Sequence, residues 1–178
     1  MSKLDAPDSP YAALILAKAG MLRLGWGSRI TSTLSPPTLL YAVSQGALAI
    51  EIRSDDAEAR ALCESITHTP TLFACGAERA CLRVLEGGCS VPVGVYTRWR
   101  DQILEITGAV TALDGSIHVE HTLEGKVDSW EDANGLGERL ARVLVQTGAR
   151  EILDDITKDR ERRIEESAKQ ELAQSATA

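Results

Sequence analysis

Hydrophobic positions change their spacing several times along the chain, and each change marks an expected element. The run YAALILA, Tyr11 to Ala17, is continuously apolar and short, which suits a strand buried in a parallel or mixed sheet. AGMLRLG follows as a helix closed by Gly25, and the Pro- and Ser-rich TSTLSPPTLLY reads as a hinge. ALAIEIR, Ala47 to Arg53, is strand-like through its isoleucines. SDDAEARALCESI then opens a helix with Ser54 or Asp55 as its N-cap. A longer helix is expected from Thr69, with Pro70 in its first turn, stopping at Gly87-Gly88. Beyond it VPVGVYTRW, ILEITGAVTAL and SIHVEHTLE read as three strands, the last two joined by the hairpin signal Asp114-Gly115. EDANGLGERLARVLVQTG is expected to form a helix ending at Gly148, and TKDRERRIEESAKQELAQSATA is charged on nearly all faces, as a solvated helix would be. Helix, three antiparallel strands and helix make a compact α+β unit from about His68 to Ile156.

Composition narrows the function classes. A hydrophobic share of 44% with 25% charged residues in 178 positions is that of a globular chain, which excludes disorder as the dominant state. A formal net charge of -7 argues against a nucleic-acid surface. No apolar run reaches the roughly 18 residues of a membrane span, and MSKLDAPDSPY has no apolar core behind its lysine, so a cytoplasmic protein without membrane partner is expected. Cysteines 63, 75, 81 and 89 form no CxxC pair and have no metal-like spacing to the histidines, so no metal site is expected.

The segment LEGGCSVPVG, residues 85 to 94, carries the strongest chemical signal. Paired glycines at a helix end put the Cys89 thiol on a tight turn that another molecule can approach, as a nucleophile or attachment point. Cys63, Cys75 and Cys81 lie inside expected helices and are assigned to packing. Arg23 sits among Met21, Leu22 and Leu24, where a guanidinium suits a carboxylate ligand or a snorkelling surface position. Gln45-Gly46, just before a strand, offers a polar side chain beside bare backbone, or simply a turn. His118 and His121 point to opposite faces of their strand, which disfavours a shared metal. Asn134-Gly135-Leu136-Gly137 lacks one glycine of a dinucleotide fingerprint and is set aside. The Glu78-Arg79 charges are read as a solvated face. A cysteine hydrolase is not supported, because no histidine and orienting acid are suitably placed.

KLDAPDSPYAALILAKAGMLRLG, AVSQGALAIEIRSDD, AERACLRVLEGGCSVPVGVYT and GAREIL occur in the order seen in the porphobilinogen deaminase family, which the chain resembles from Lys3 to Ile156. The resemblance implies a hydroxymethylbilane synthase, a transferase that joins four porphobilinogen molecules head to tail on a cysteine-linked dipyrromethane in tetrapyrrole and heme biosynthesis. It implies Cys89 as the covalent attachment residue, Arg23 as a ligand of cofactor carboxylates, and Gln45, Gly46 and Ser90 along the same cleft. It also implies that the match begins near the middle of the family chain, so that the catalytic aspartate lies upstream and no catalytic residue is assigned here. The expected domains are a remnant of a second domain (1–43), a returning segment of a first domain (44–67), a complete cofactor-attachment domain (68–156) and a charged tail (157–178). The first two would be pieces of doubly wound α/β domains. Ser44 stands where the family usually has glycine, and Ala74 where it usually has arginine. The family enzyme is expected to be monomeric, the shortened chain inactive alone and prone to self-association. The alternative is a non-catalytic folded remnant that acts at most as a binding module.

Overall fold

The computed structural model describes residues 1–85 and 92–175, and the chain divides into two compact units, Met1–Thr38 and the residues from Leu39 onward. The first unit holds two short helices, α1 (Ser2–Asp5) and α2 (Lys18–Arg23), and a 3-10 turn at Gly27–Arg29. Arg29 grips the Asp5 carboxylate with both terminal nitrogens, and this hydrogen bonding lowers the Asp5 pKa from its ordinary value. Helix α2 forms where expected and gives way at Gly25, whose φ is 73°. Met21 is its buried residue.

The expected strand at Tyr11 to Ala17 does not form. Its residues are extended but unpaired, with Ile15 77% exposed. Ala47 to Arg53, the other expected strand, is likewise irregular, and Leu48 is fully exposed at 100%. Both segments have the composition of a sheet interior, yet a strand requires neighbours for its N–H and C=O groups, and no described strand flanks either one.

The second unit opens with a segment pinned to the sheet by a two-way backbone bridge between Tyr41 and Val95, 2.9 and 2.7 Å long. Helix α3 (Ala57–Ile66) follows, its N-cap being Asp56, whose carboxylate accepts the Ala59 N–H at 2.9 Å. The cap is thus one residue later than Asp55 and two later than Ser54, because Asp56 is the acid in extended backbone just ahead of the first helical turn. Helix α4 (Thr69–Val84) has Pro70 in its first turn, where a missing N–H costs nothing. Its expected stop signal, Gly87-Gly88, lies outside the described residues.

Three strands, β1 (Val93–Arg100), β2 (Ile103–Thr111) and β3 (His118–Lys126), make an antiparallel meander in that order. The β2–β3 connection is a longer loop than a two-residue turn: Ala112 N–H bonds Ile117 O, Gly115 takes φ 74°, and the Asp114 carboxylate accepts from Ser116. Helix α5 (Trp130–Leu144) is capped reciprocally. The Ser129 hydroxyl accepts the Asp132 N–H at 3.1 Å and donates to the Asp132 carboxylate at 2.8 Å. A widened turn, Val145–Ala149, contains Gly148 at φ 116°, the expected helix break, and α6 (Arg150–Ser175) leaves from it.

Helices α4 and α5 pack on each other and α5 covers one face of the sheet. Ala133, Leu136, Leu140 and Leu144 of α5 recur at helical spacing and meet Leu104, Ile106 and Val110 of β2, with Ala77, Cys81 and Leu85 from the α4 side. The first turn of α6 adds Ile152 and Leu153, after which the helix carries charged pairs such as Arg163–Asp159. The opposite face of the sheet is polar. Glu105 there bridges Arg98 and Arg100 at 2.9 and 2.8 Å across the β1–β2 register.

Candidate functional site

Helix α4 presents Thr71, Ala74, Cys75 and Glu78 at i, i+3, i+4 and i+7, a single helical face. That face looks toward the chain segment before α3 and toward Thr97 and Trp99 of β1, and together they line an open pocket of about 350 Å³. The Tyr41–Val95 bridge fixes how the segment approaches, helped by an edge-on contact of the Tyr41 and Tyr96 rings at 6.4 Å. Immediately after it the chain turns sharply through Ser44 (φ 59°) and Gly46 (φ 87°). This turn forms one wall, with Gln45 and Gly46 exposed at the mouth.

Glu78 holds the turn in place. Its Oε2 accepts the Ser44 backbone N–H and its Oε1 accepts the Thr97 hydroxyl, both at 2.7 Å. The residue is buried, which corrects the expectation of a solvated face: two donors from neighbouring elements replace the water a surface glutamate would keep. At the other end, Trp99 Nε1–H donates to Pro70 O at 3.0 Å and His68 Nδ1 meets Thr71 Oγ1 at 2.8 Å. Ser44 Oγ is buried without a hydrogen-bond partner in the described structure.

Among the site residues expected from sequence, Gln45 and Gly46 meet at this cavity. Ser44 and Ala74, both singled out above on the resemblance, line it as well. Arg23 belongs to the first unit, in the last turn of α2, exposed and with its guanidinium unpaired among the described residues. Cys89 and Ser90 lie outside the described residues. Cys81 is fully buried in the core, as packing requires, whereas Cys75 is half-buried and borders the cavity. Glu78 is the residue that sequence reasoning missed. Its signal was the i, i+4 and i, i+7 spacing from Ala74 and Thr71, which sets it on one helical face with them.

A dipyrromethane brings two carboxylates per ring, and this set of residues can be tested against it. The Arg23 guanidinium has no partner among the described residues, and Gly46 offers bare backbone beside the Gln45 amide, so each suits such a group. The cavity interior does not: no lysine or arginine among the described residues lines it, and its one formal charge is the Glu78 carboxylate. His118 is exposed while His121 faces the other side of β3, and no described group of His, Cys, Asp and Glu is arranged to hold a metal ion. No described helix is long and apolar enough to cross a membrane.

Two family domains match the chain in order: the dipyromethane cofactor binding domain of porphobilinogen deaminase over residues 1–61, and the porphobilinogen deaminase C-terminal domain over residues 72–146. Among curated proteins, the porphobilinogen deaminase of Yarrowia lipolytica is 45% identical over 156 residues, which cover 88% of this chain and 46% of the relative. The Kluyveromyces lactis enzyme is 44% identical over 165 residues, covering 90% and 50%. That of Nostoc sp. is 46% identical over 156 residues, covering 88% and 47%. The chain therefore spans about half the length of the curated relatives it matches.

Proposed function

Because the chain belongs to the porphobilinogen deaminase family, we propose that it supplies the cofactor-attachment domain and part of the cofactor cleft of a hydroxymethylbilane synthase. The observation that carries this reading is the consecutive match to the cofactor binding and C-terminal domains at residues 1–61 and 72–146. Cys89 is the covalent attachment point. A thiolate is a soft nucleophile that captures an electrophilic methylene carbon as a stable thioether. When bound, dipyrromethane supplies the pyrrole terminus onto which porphobilinogen units are joined with loss of ammonia. Arg23 binds a ring carboxylate through its planar fork, and Gln45, Gly46 and Ser90 orient the neighbouring ring.

On this reading residues 1–43 and 44–67 are pieces of two doubly wound α/β domains, residues 68–156 form the attachment domain, and 157–178 are a solvated tail. Tyr11–Ala17 and Ala47–Arg53 become strands when the rest of the family chain surrounds them, which accounts for their apolar exposure here. Electrostatic stabilisation of the cationic pyrrole intermediates falls to an aspartate in the half of the family chain that these residues do not span, so this chain alone is inactive. The complete enzyme works as a cytoplasmic monomer without nucleic acid or membrane partner, and the isolated chain self-associates through its unpaired segments.

The test is reconstitution. The part of the Yarrowia lipolytica relative that this chain does not match is fused ahead of it or supplied as a separate polypeptide, and porphobilinogen consumption is followed. Turnover that requires the added part and disappears in Cys89→Ser supports the reading. Equal turnover in Cys89→Ser overturns the attachment role.

A further inference from the structure

Asn134 is the only asparagine of the chain, and Gly135 follows it. That dipeptide carries its own chemistry, because the asparagine amide is thermolabile and a following glycine has no side chain to shield the peptide nitrogen. The Gly135 nitrogen attacks the Asn134 amide carbon and gives up its proton. The bond from that carbon to Nδ2 breaks, ammonia leaves, and a five-membered succinimide remains. Solvent water then opens the ring at either carbonyl, to aspartate or to isoaspartate.

The fold opposes this step at each participating atom. Asn134 and Gly135 lie inside α5, so the Gly135 N–H is directed at the carbonyl four residues back and the peptide is held away from the attack geometry. The leaving Nδ2 donates to Trp130 O at 2.7 Å, and Oδ1 accepts from the Arg83 guanidinium of α4 at 2.8 Å. The same turns are held by the Ser129 cap and by the Trp130 ring, which packs against Gly76 so closely that a β-carbon there would stand 2.7 Å from it. Asn134 and Gly135 are nevertheless only half-buried, so opening these turns frees the dipeptide without unfolding the core.

We propose that Asn134-Gly135 is a site of spontaneous covalent modification, and that local opening of the first turns of α5 sets its rate. The two products differ in consequence. Aspartate places a carboxylate opposite Arg83 and keeps the helix. Isoaspartate adds a methylene to the backbone just ahead of Gly137 and so prevents α5 from closing again on Ala77 of α4. A transient opening is thereby recorded in the covalent structure. The proposal goes beyond the cofactor role and does not depend on catalytic activity.

Incubation of the full chain at pH 8, in buffer and in concentrated urea, tests it. The reaction is followed as the amide-to-acid mass change of the peptide containing Asn134, a readout that isomerisation at Asp114-Gly115 does not share, since that releases no ammonia. Conversion is expected in urea and should be at least roughly tenfold slower in buffer, in step with the population of the open form. Ser129→Ala removes the cap and Arg83→Met the link to α4, so each should speed the reaction in buffer about fivefold and leave the rate in urea unchanged. Gly135→Ala, which keeps the helix, should slow conversion in urea by shielding the attacking nitrogen. Should one of the two accelerating variants fail to fold, the other decides. Equal rates in buffer and urea, no mass change in urea, or a rate in buffer unmoved by Ser129→Ala and Arg83→Met would overturn the proposal.

Discussion

Gly137 of α5 lies so close to Ala77 of α4 that a β-carbon built on it would stand 1.9 Å from the Ala77 carbonyl oxygen. The obstacle is backbone, which cannot rotate away. Gly137→Ala must therefore separate the two helices or bend one of them. Overpacking of this kind costs about 3 kcal/mol, and urea denaturation should show that loss. Gly135 two residues earlier is the matched control, since a β-carbon there meets only the flexible Arg139 guanidinium at 3.6 Å. Gly135→Ala should gain up to about 1 kcal/mol from helix propensity.

Ser44 occupies the left-handed region at φ 59° with its hydroxyl buried and unpartnered. Glycine adopts that backbone without steric cost and removes the orphaned oxygen, while adding some unfolded-state entropy. Ser44→Gly is expected to stabilise the chain by about 1 kcal/mol net, read as a higher urea midpoint at unchanged m-value. Destabilisation would show that the hydroxyl is hydrogen-bonded in solution.

Cys81 is enclosed by the core, and burial first and the nearby Glu78 charge second push its thiol up to about 12, from an ordinary 9.0. In the unfolded chain the same thiol ionises near its ordinary value, so the folded state binds the proton more tightly. The stabilisation is fully present below pH 9 and is lost as pH rises from there toward 12, at up to about 1.4 kcal/mol per pH unit. Denaturation between pH 8.5 and 11 should show that slope, and Cys81→Ala should flatten it. In iodoacetamide labelling at pH 8, Cys81 should react only in step with global unfolding, and half-buried Cys63 and Cys75 well before it.

Hydrogen exchange should divide the chain by backbone pairing. Amides of Tyr11–Ala17 and Ala47–Arg53 have no ladder partners and should exchange within seconds, whereas β2, flanked on both sides, and the interior of α5 should be the slowest. Fusion to the remaining half of a family chain should then slow the two apolar segments specifically. Strong protection of either segment in the chain alone would contradict the extended, unpaired backbone described for them.

Much of the second unit was legible because its elements bury their own pattern locally. β3 alternates exposed and half-buried positions, and the buried stripe of α5 recurs at three- and four-residue intervals, so period alone locates both. Tyr11–Ala17 and Ala47–Arg53 were misjudged for the converse reason: their composition reports a sheet that no described residue supplies. Glu78 was misjudged because a charge pair in a helix looks the same in sequence whether it faces water or two donors from distant segments, Ser44 and Thr97. The glycines at 135 and 137 resemble a phosphate-binding turn in spacing, but the second serves the contact with Ala77.

The open side of β3 bears on what this chain does in concentrated solution. With the sheet order β1-β2-β3, this strand leaves one row of amides and carbonyls without a ladder partner among the described residues, an edge against which a second copy would pair. Its outward side chains are His118, Glu120, Thr122, Glu124 and Lys126. Parallel in-register pairing of two copies through this edge would set Glu120 against Glu120 and Glu124 against Glu124 at about 4.8 Å, and because β2 holds the other side of the strand, such pairing closes at two copies. Like charge on the outward face thus guards this edge against pairing with its own copy, while the alternate, half-buried positions of the same strand remain free to pack beneath α5.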